Sequence, residues 1–453
     1  MLTSCIHNGR TIRFSTGAIS QTDSNEFTIV VGKNGTGKSR LLRSIVESFV
    51  KVNEPLGRER SLGENVKKNE ATDFSYKWYP TNVIALSTSP FDRFPISRES
   101  YEDNSYRYLG LRGLYSNNLS LSFMSRTLWA LLRAITMDIN QAKTVKSVLK
   151  YMGYTEFIEA RFVCSVTRSR IDFIVNSEDP IETLLNMRNS AGMSQRERLA
   201  YQLDYLPKEK IIYAIETVHR WFNRVTKPRL DLRIDAEGVY DITANARFDE
   251  SLLLLFELGF FQLKDVGLLK EGHKSLIRIN DASSGEQCVL MAILGIASHI
   301  QDGSLICIDE PEICLHPEWQ ERYIDFLMNA FSQYRNCHFI IATHSPQIVA
   351  KLRSQNCFVL DLESGSTTIA SELNGRSADF QLARIFRAPG SKNEYLSRIL
   401  FNALQVIGSG QEVQSEKIDE AKSILFLKDM ITKEDPVRGL MDILEKALEE
   451  IKK

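Results

Sequence analysis

Gly32-Lys33-Asn34-Gly35-Thr36-Gly37-Lys38-Ser39 lies between the β-rich run Phe27–Val31 (FTIVV) and LLRSIVESF, whose apolar residues recur at helical spacing. The string fits G-x-x-x-x-G-K-[ST], and strand, loop, helix is the context that a phosphate-binding loop requires. Glycines let main-chain N–H groups turn inward around phosphate oxygens. Lys38 brings a point charge to the β and γ phosphates, Ser39 a hydroxyl to magnesium, and the helix N-terminus a favourable dipole. Lys33, Asn34, Thr36 and Arg40 complete the stretch expected to touch nucleotide.

Downstream, LICIDEPE places Asp309 and Glu310 at the end of an apolar strand, the ligand-binding edge of an open α/β sheet. Asp309 suits magnesium held through water, and Glu310 suits polarising the water that attacks a γ phosphate. Thirty-five residues after Asp309, HFIIAT ends in His344. A lone histidine reads as a satisfied structural residue, but at a strand end it is placed to donate a hydrogen bond to the same phosphate. Asp281-Ala282-Ser283-Ser284-Gly285-Glu286-Gln287 precedes an apolar helix. Taken alone it is either an N-cap with a capping-box glutamate or an anion site at a helix start.

Around these motifs, QCVLMAILGIASHI, SLICID, PEWQERYIDFLMNAF and HFIIATH alternate helix and strand, which predicts a parallel sheet covered by helices. VIALSTS (83–89) reads as another buried strand, stopped by SPFDRFP, and 51–80 as a solvated insertion or mobile loop. From 119 to about 230 the patterns are helical, with Leu128, Leu131, Leu132 and Ile135 on one face and β-like runs at RFVCSV and IDFIV. No heptad repeat is sustained there, so a long coiled-coil arm is not expected. Beyond 392, Leu396, Ile399, Leu400, Ala403, Leu404 and Ile407 share one helical face, and Leu440, Ile443, Leu444, Ala447, Leu448 and Ile451 another. Such faces serve packing or a partner.

The 453 residues, 43% hydrophobic and 25% charged, describe an ordinary globular chain and exclude disordered, collagenous and disulfide-scaffold classes. Lys+Arg 56 against Asp+Glu 57 gives a net charge of -1, so nucleic-acid contact needs a local patch or a partner. Arg220, Arg224, Lys227 and Arg229 form one basic group, read first as a solvated helix face. Seven cysteines form no CxxC pair and fall partly in apolar runs, as reduced buried thiols do. The N-terminus lacks an apolar signal region, and the longest apolar stretch, Leu252 to Leu263, is too short to span a bilayer, pointing to a cytoplasmic protein without a membrane partner.

Taken together, the loop at 32, SSGEQ, Asp309-Glu310 and His344 stand in an order that resembles the nucleotide-binding domain of the ABC ATPase superfamily. SSGEQ occupies the place of its LSGGQ-type signature, which in the family touches the γ phosphate bound by the other subunit. The resemblance therefore implies ATP and Mg2+ sandwiched in a head-to-tail homodimer, or a higher oligomer of such dimers, with Ser283, Ser284, Gly285 and Glu286 acting across the interface. One family element is unmatched: the glutamine usual at the end of the strand after the first helix is replaced by Ser87-Thr88-Ser89, so fast hydrolysis is not expected.

DEPE followed by LHP resembles the branch of repair, defence and overcoming-lysogenisation ATPases rather than transporters. With IALSTSPFDRFP, the segment Tyr106–Gly113 and THSP, the chain resembles the PtuA family, the ATPase of the bacterial Septu anti-phage system, also found as a retron effector component. That resemblance implies an HNH nuclease partner, PtuB, with nucleic acid reached through the complex. It fits seven scattered histidines without an HNH cassette. The rival reading is an armless RecF/SMC-like repair ATPase that grips DNA directly. The expected architecture is an α/β ABC/SMC-like P-loop core, its mixed sheet flanked by helices. Residues 1–115 and 231–390 form the core, 116–230 a mainly helical insertion lobe, and 391–453 a helical C-terminal extension.

Overall fold

The computed structural model of the chain describes residues 1–16, 24–53, 71–96, 105–112, 119–189, 207–225, 227–257, 259–350, 352, 356–373, 376–409 and 416–451. Most of the polar insertion expected within 51–80, and Gly113, lie outside the described residues. In chain order the strands are β1 (Leu2–His7), β2 (Arg10–Arg13), β3 (Glu26–Val31), β4 (Thr72–Tyr76), β5 (Val83–Ser87), β6 (Tyr106–Gly110), β7 (Tyr154–Cys164) and β8 (Arg229–Asp235). They continue as β9 (Gly238–Asp241), β10 (Ala246–Arg247), β11 (Phe261–Lys270), β12 (Ile277–Arg278), β13 (Leu305–Asp309), β14 (His338–Ala342), β15 (Cys357–Asp361) and β16 (Ser366–Ile369).

A seven-stranded sheet of order β16-β15-β3-β14-β13-β5-β6 carries the phosphate loop. Every residue of β3, β5, β13 and β14 is buried, which is why these strands read as unbroken apolar runs rather than alternating ones. Their pairing is parallel and the register brings Ser87, Asp309, Ala342 and Val30 level with one another. Strands that finish at one height deliver their loops to one edge, so residues distant in sequence meet there. Antiparallel β16 makes the sheet mixed. A three-stranded sheet, β2-β1-β4, shares a core with the first helix, Lys38–Asn53, through Leu2, Cys5, Ile12, Leu41, Leu42 and Ile45. Thr72–Tyr76 is therefore a strand paired with β1, where the sequence suggested loop.

The chain forms two compact units. The first comprises Met1–Tyr108, Gln301–Asp325 and Tyr334–Lys453, and holds the large sheet, the small sheet and the C-terminal helices. Within it the helices Glu394–Gly408 and Pro436–Ile451 close a separate apolar core with Leu396, Ile399, Leu400, Ala403, Met441 and Leu444. Each large aliphatic side chain buried there contributes about 2 kcal/mol. Packing thus accounts for the first amphipathic face; on the second, Ile443 points outward and is 55% exposed.

Leu109–Ile300 and Phe326–Gln333 form the second unit. Helices Leu119–Met137, Asn140–Tyr151, Lys208–Arg224 and Ser284–Ala297 accompany a six-stranded antiparallel sheet, β10-β9-β8-β7-β11-β12. RFVC (161–164) of the run RFVCSV ends β7, but IDFIV does not form a strand: Arg168–Val175 is a helix burying Ile171 and Ile174. Spacing of three between those isoleucines, rather than two, decides the outcome. No described helix is long and apolar enough to cross a membrane.

Candidate nucleotide-binding site

The loop between β3 and the helix Lys38–Asn53 adopts positive φ at Gly32 (152°), Gly35 (85°) and Gly37 (102°). A methyl group on Gly32 would sit 2.9 Å from Thr36 Oγ1, and one on Gly37 within 3.5 Å of both Arg40 and His7. Side chains at these positions would close the loop on itself. Thr36 Oγ1 donates to Lys33 O (2.9 Å) and Arg40 Nη2 to Gly35 O (3.2 Å), so both flanking residues brace the turn. Asn34 is exposed beside them.

Lys38 is buried and its Nζ donates to Gly32 O (2.8 Å) and Lys33 O (3.3 Å), with His344 Nδ1 at 3.4 Å. Burial lowers its pKa to about 8, a shift that Glu310, Glu312, Asp309 and Glu363 oppose. The lysine remains largely a cation at neutral pH, surrounded by carbonyls it can exchange for phosphate oxygens.

Ser39 Oγ donates to Asp309 Oδ1 at 3.1 Å. Burial raises the Asp309 carboxyl to about 7; the Ser39 hydrogen bond opposes the rise, while Glu310, Asp92 and Glu312 add to it. Two hard oxygen donors side by side, one a carboxylate short of positive charge, suit a magnesium ion. His344 follows β14, with Nε2 3.6 Å from Glu310 Oε1. Burial, helped by Lys38, lowers its pKa to about 4, so the ring is neutral at pH 7. Because the Lys38 ammonium faces Nδ1 as a donor, Nδ1 is the acceptor and the ring proton is on Nε2.

The ends of the strands are stitched together. Glu310 N–H donates to Ala342 O (2.9 Å), Thr343 N–H to Val30 O (3.1 Å), and Ser87 Oγ to Asp309 O (3.3 Å). Glu310 itself has φ 49°, at the start of the 3-10 turn Pro311–Cys314. The sheet edge thus brings Gly32–Arg40, Asp309, Glu310 and His344 into one cluster within the first unit.

Ser283, Ser284, Gly285 and Glu286 belong to the second unit. Ser283 caps the helix Ser284–Ala297: its Oγ accepts from Glu286 N–H, and the Glu286 carboxylate accepts from Ser283 N–H (3.2 Å). Burial raises the Glu286 carboxyl, but the Ser283 and Lys270 bonds outweigh it and leave a net lowering. Ser283 is thereby occupied in capping, while Ser284 is exposed in the first turn above buried Gly285. Of the basic group, Arg229 pairs with Asp231 at 2.7 Å and Arg220 donates to Thr217.

Two residues at the site were not read from the sequence. Glu312, the second glutamate of DEPE, accepts the main-chain N–H of His344. Burial pushes its carboxyl up, and that N–H bond works against the rise. His7, at the end of β1, is 3% exposed against Gly37. DEPE was itself a signal for Glu312; nothing near His7 signals a phosphate loop 25 residues on.

Residues 172–350 match the family described as "AAA domain, putative AbiEii toxin, Type IV TA system". Among curated proteins, the Retron Ec83 probable ATPase of Escherichia coli is 24% identical, the match covering 88% of this chain and 75% of the relative. The Retron Vc95 probable ATPase of Vibrio cholerae serotype O1 biovar El Tor is 22% identical over 74% of this chain and 68% of the relative. A solved Smc head domain bound to the C-terminal domain of ScpA, derived from Pyrococcus furiosus, is 12% identical, covering 81% of this chain and 95% of that one with a TM-score of 0.27.

Proposed function

We propose that this chain is an ATPase that binds Mg-ATP at the Gly32–Arg40 loop, hydrolyses it slowly between two head-to-tail copies, and serves as the nucleotide-sensing subunit of an anti-phage complex. The observation that carries the reading is the convergence at one sheet edge of Lys38, His344 and Glu310, linked in that order at 3.4 and 3.6 Å, with the adjacent pair Ser39 and Asp309, linked at 3.1 Å. The partner in this reading is an HNH nuclease of the PtuB type, and the setting is that of the retron ATPases named above.

On triphosphate binding, Lys38 exchanges the carbonyls of Gly32 and Lys33 for phosphate oxygens, and the main-chain N–H groups of the loop turn to the same anion. Ser39 and Asp309 are the residues that would hold magnesium, which supplies neutralising charge to the phosphates. Glu310 accepts a proton from the attacking water, and neutral His344 offers Nε2–H to the reacting phosphate. Ser284 and the start of its helix present the donors that a second copy needs to close the site. A closed dimer that binds ATP better than ADP then couples nucleotide state to the partner.

Hydrolysis is tested with Glu310→Gln, which is expected to retain ATP while phosphate release falls by about 100-fold or more. An unchanged rate would remove Glu310 as the base. Sharing of sites is tested by mixing Lys38→Ala with Ser284→Arg chains, each inactive alone. Head-to-tail pairing restores about a quarter of wild-type turnover, because half the dimers are mixed and each carries one intact site. No recovery would sink the shared site. Affinity purification from the host with mass spectrometry tests the nuclease partner.

A further inference from the structure

We infer that Glu312 is a positioning residue for His344, tying the acidic turn after β13 to the turn after β14; the inference rests on the hydrolytic reading above. Glu312 lies in the turn Pro311–Cys314, whose backbone is fixed by Pro311 and by Ile313 N–H to Glu310 O (3.3 Å) and Leu315 N–H to Glu312 O (3.0 Å). From this rigid base Oε1 accepts the main-chain N–H of His344. The imidazole, 3.4 Å from Lys38 and 3.6 Å from Glu310, is therefore placed by a main-chain anchor three residues beyond Asp309.

A second rung joins the same two turns. Ser345 Oγ donates to Gln320 Oε1 (2.6 Å), and Gln320 Nε2 donates to Leu315 O (2.8 Å). With this polar tie in place, the fold has a link that needs no buried carboxylate. Yet Glu312 Oε2 is buried from solvent, a costly place for a carboxylate serving cohesion alone. What the carboxylate adds is placement of the His344 main chain beside the lysine and the base. An error of about 1 Å in such placement reduces a rate by roughly 100-fold.

The test is a double-mutant cycle on the full chain with Mg-ATP, reading kcat for phosphate release and Kd for ATP. Glu312→Ala is expected to lower kcat at least tenfold while Kd moves less than about threefold. Glu312→Gln, which keeps an oxygen for the His344 N–H, restores kcat to within about threefold of wild type. Glu312→Ala combined with His344→Ala is no slower than His344→Ala alone, since Glu312 acts through that ring. If Glu312→Ala does not fold, Glu312→Asp takes its place in the cycle, keeping the charge and shortening the reach. Multiplying losses, parallel loss of ATP affinity, or a Gln variant as slow as Ala or Asp would overturn the inference while leaving hydrolysis standing. A wild-type chain that binds Mg-ATP and releases no phosphate removes the hydrolytic reading, and this inference with it.

Discussion

Glu310 stands at φ 49° and ψ 57° directly before a proline, a place where a side chain and the following ring both narrow the allowed backbone. The conformation persists because its N–H is bonded to Ala342 O at the sheet edge. Strain of this kind costs about 1 kcal/mol or more. Glu310→Gly is therefore expected to raise stability by about 1 kcal/mol in thermal melts while phosphate release is lost. His338 shows a different residue-scale cost. It is buried, with Nε2 2.9 Å from Thr28 Oγ1 and a pKa lowered to about 3 by burial, with a lesser effect of the N-terminal ammonium. Unfolded, the ring takes a proton below about pH 6.5, which the folded ring refuses until about pH 3. Stability contributed by keeping the ring neutral is thus lost as pH falls through that window, by on the order of 1 kcal/mol per unit. His338→Gln is expected to flatten the acid slope of the melting temperature against pH. Residues whose chemistry demands a fixed spacing, such as Lys38 with Ser39 or Asp309 with Glu310, were legible in the string. His7 was not, because its place beside Gly37 arises from the path of β1 and leaves no local pattern.

Among the elements, the parallel strands were readable because burial on both faces forces continuous apolar runs, whereas β4, with three of its five residues exposed, hid inside polar sequence. Arg168–Val175 was misread for the opposite reason: Ile171, Phe173, Ile174 and Val175 have strand-favouring side chains, and packing with the helix Lys208–Arg224 overrode them. Of the alternatives that the sequence allowed at 283, the structure shows the cap: Ser283 caps the helix and leaves Ser284 exposed. The two serines are accordingly separable. Ser283→Ala is expected to destabilise the fold by about 1 kcal/mol, read as a lower melting temperature. Ser284→Ala leaves the melting temperature within about 1 °C, since an exposed substitution away from a cap or core changes stability little, and reduces turnover.

For the whole molecule, division into two compact units leads us to expect that heating does not follow one all-or-none transition. At protein concentrations where copies stay apart, Mg-ATP at about 100 times its Kd is expected to stabilise the transition of the first unit by about 2.7 kcal/mol and leave the other unmoved. Calorimetry with and without nucleotide reads both. Asp309, Glu310 and His344 signal in the sequence that the chain comes back to the phosphate loop, but nothing there marks where the excursion ends, at Gln301. Charge offers no help, with a net value of -1 spread over 453 residues. The C-terminal helices join the same unit and reach its loop, where Lys33 Nζ lies 3.8 Å from Met430 Sδ.

Strand β13 has β5 on one side and β14 on the other, each locked in a single register. Successive amides donate to one neighbour or the other and neither side of the strand is an open edge, so Ile306, Cys307 and Ile308 are expected among the slowest to exchange for deuterium anywhere in the first unit. Slow labelling there would mean that the acids at its tip are mounted on the part of the first unit that opens last, a fixed reference point for the loops around them.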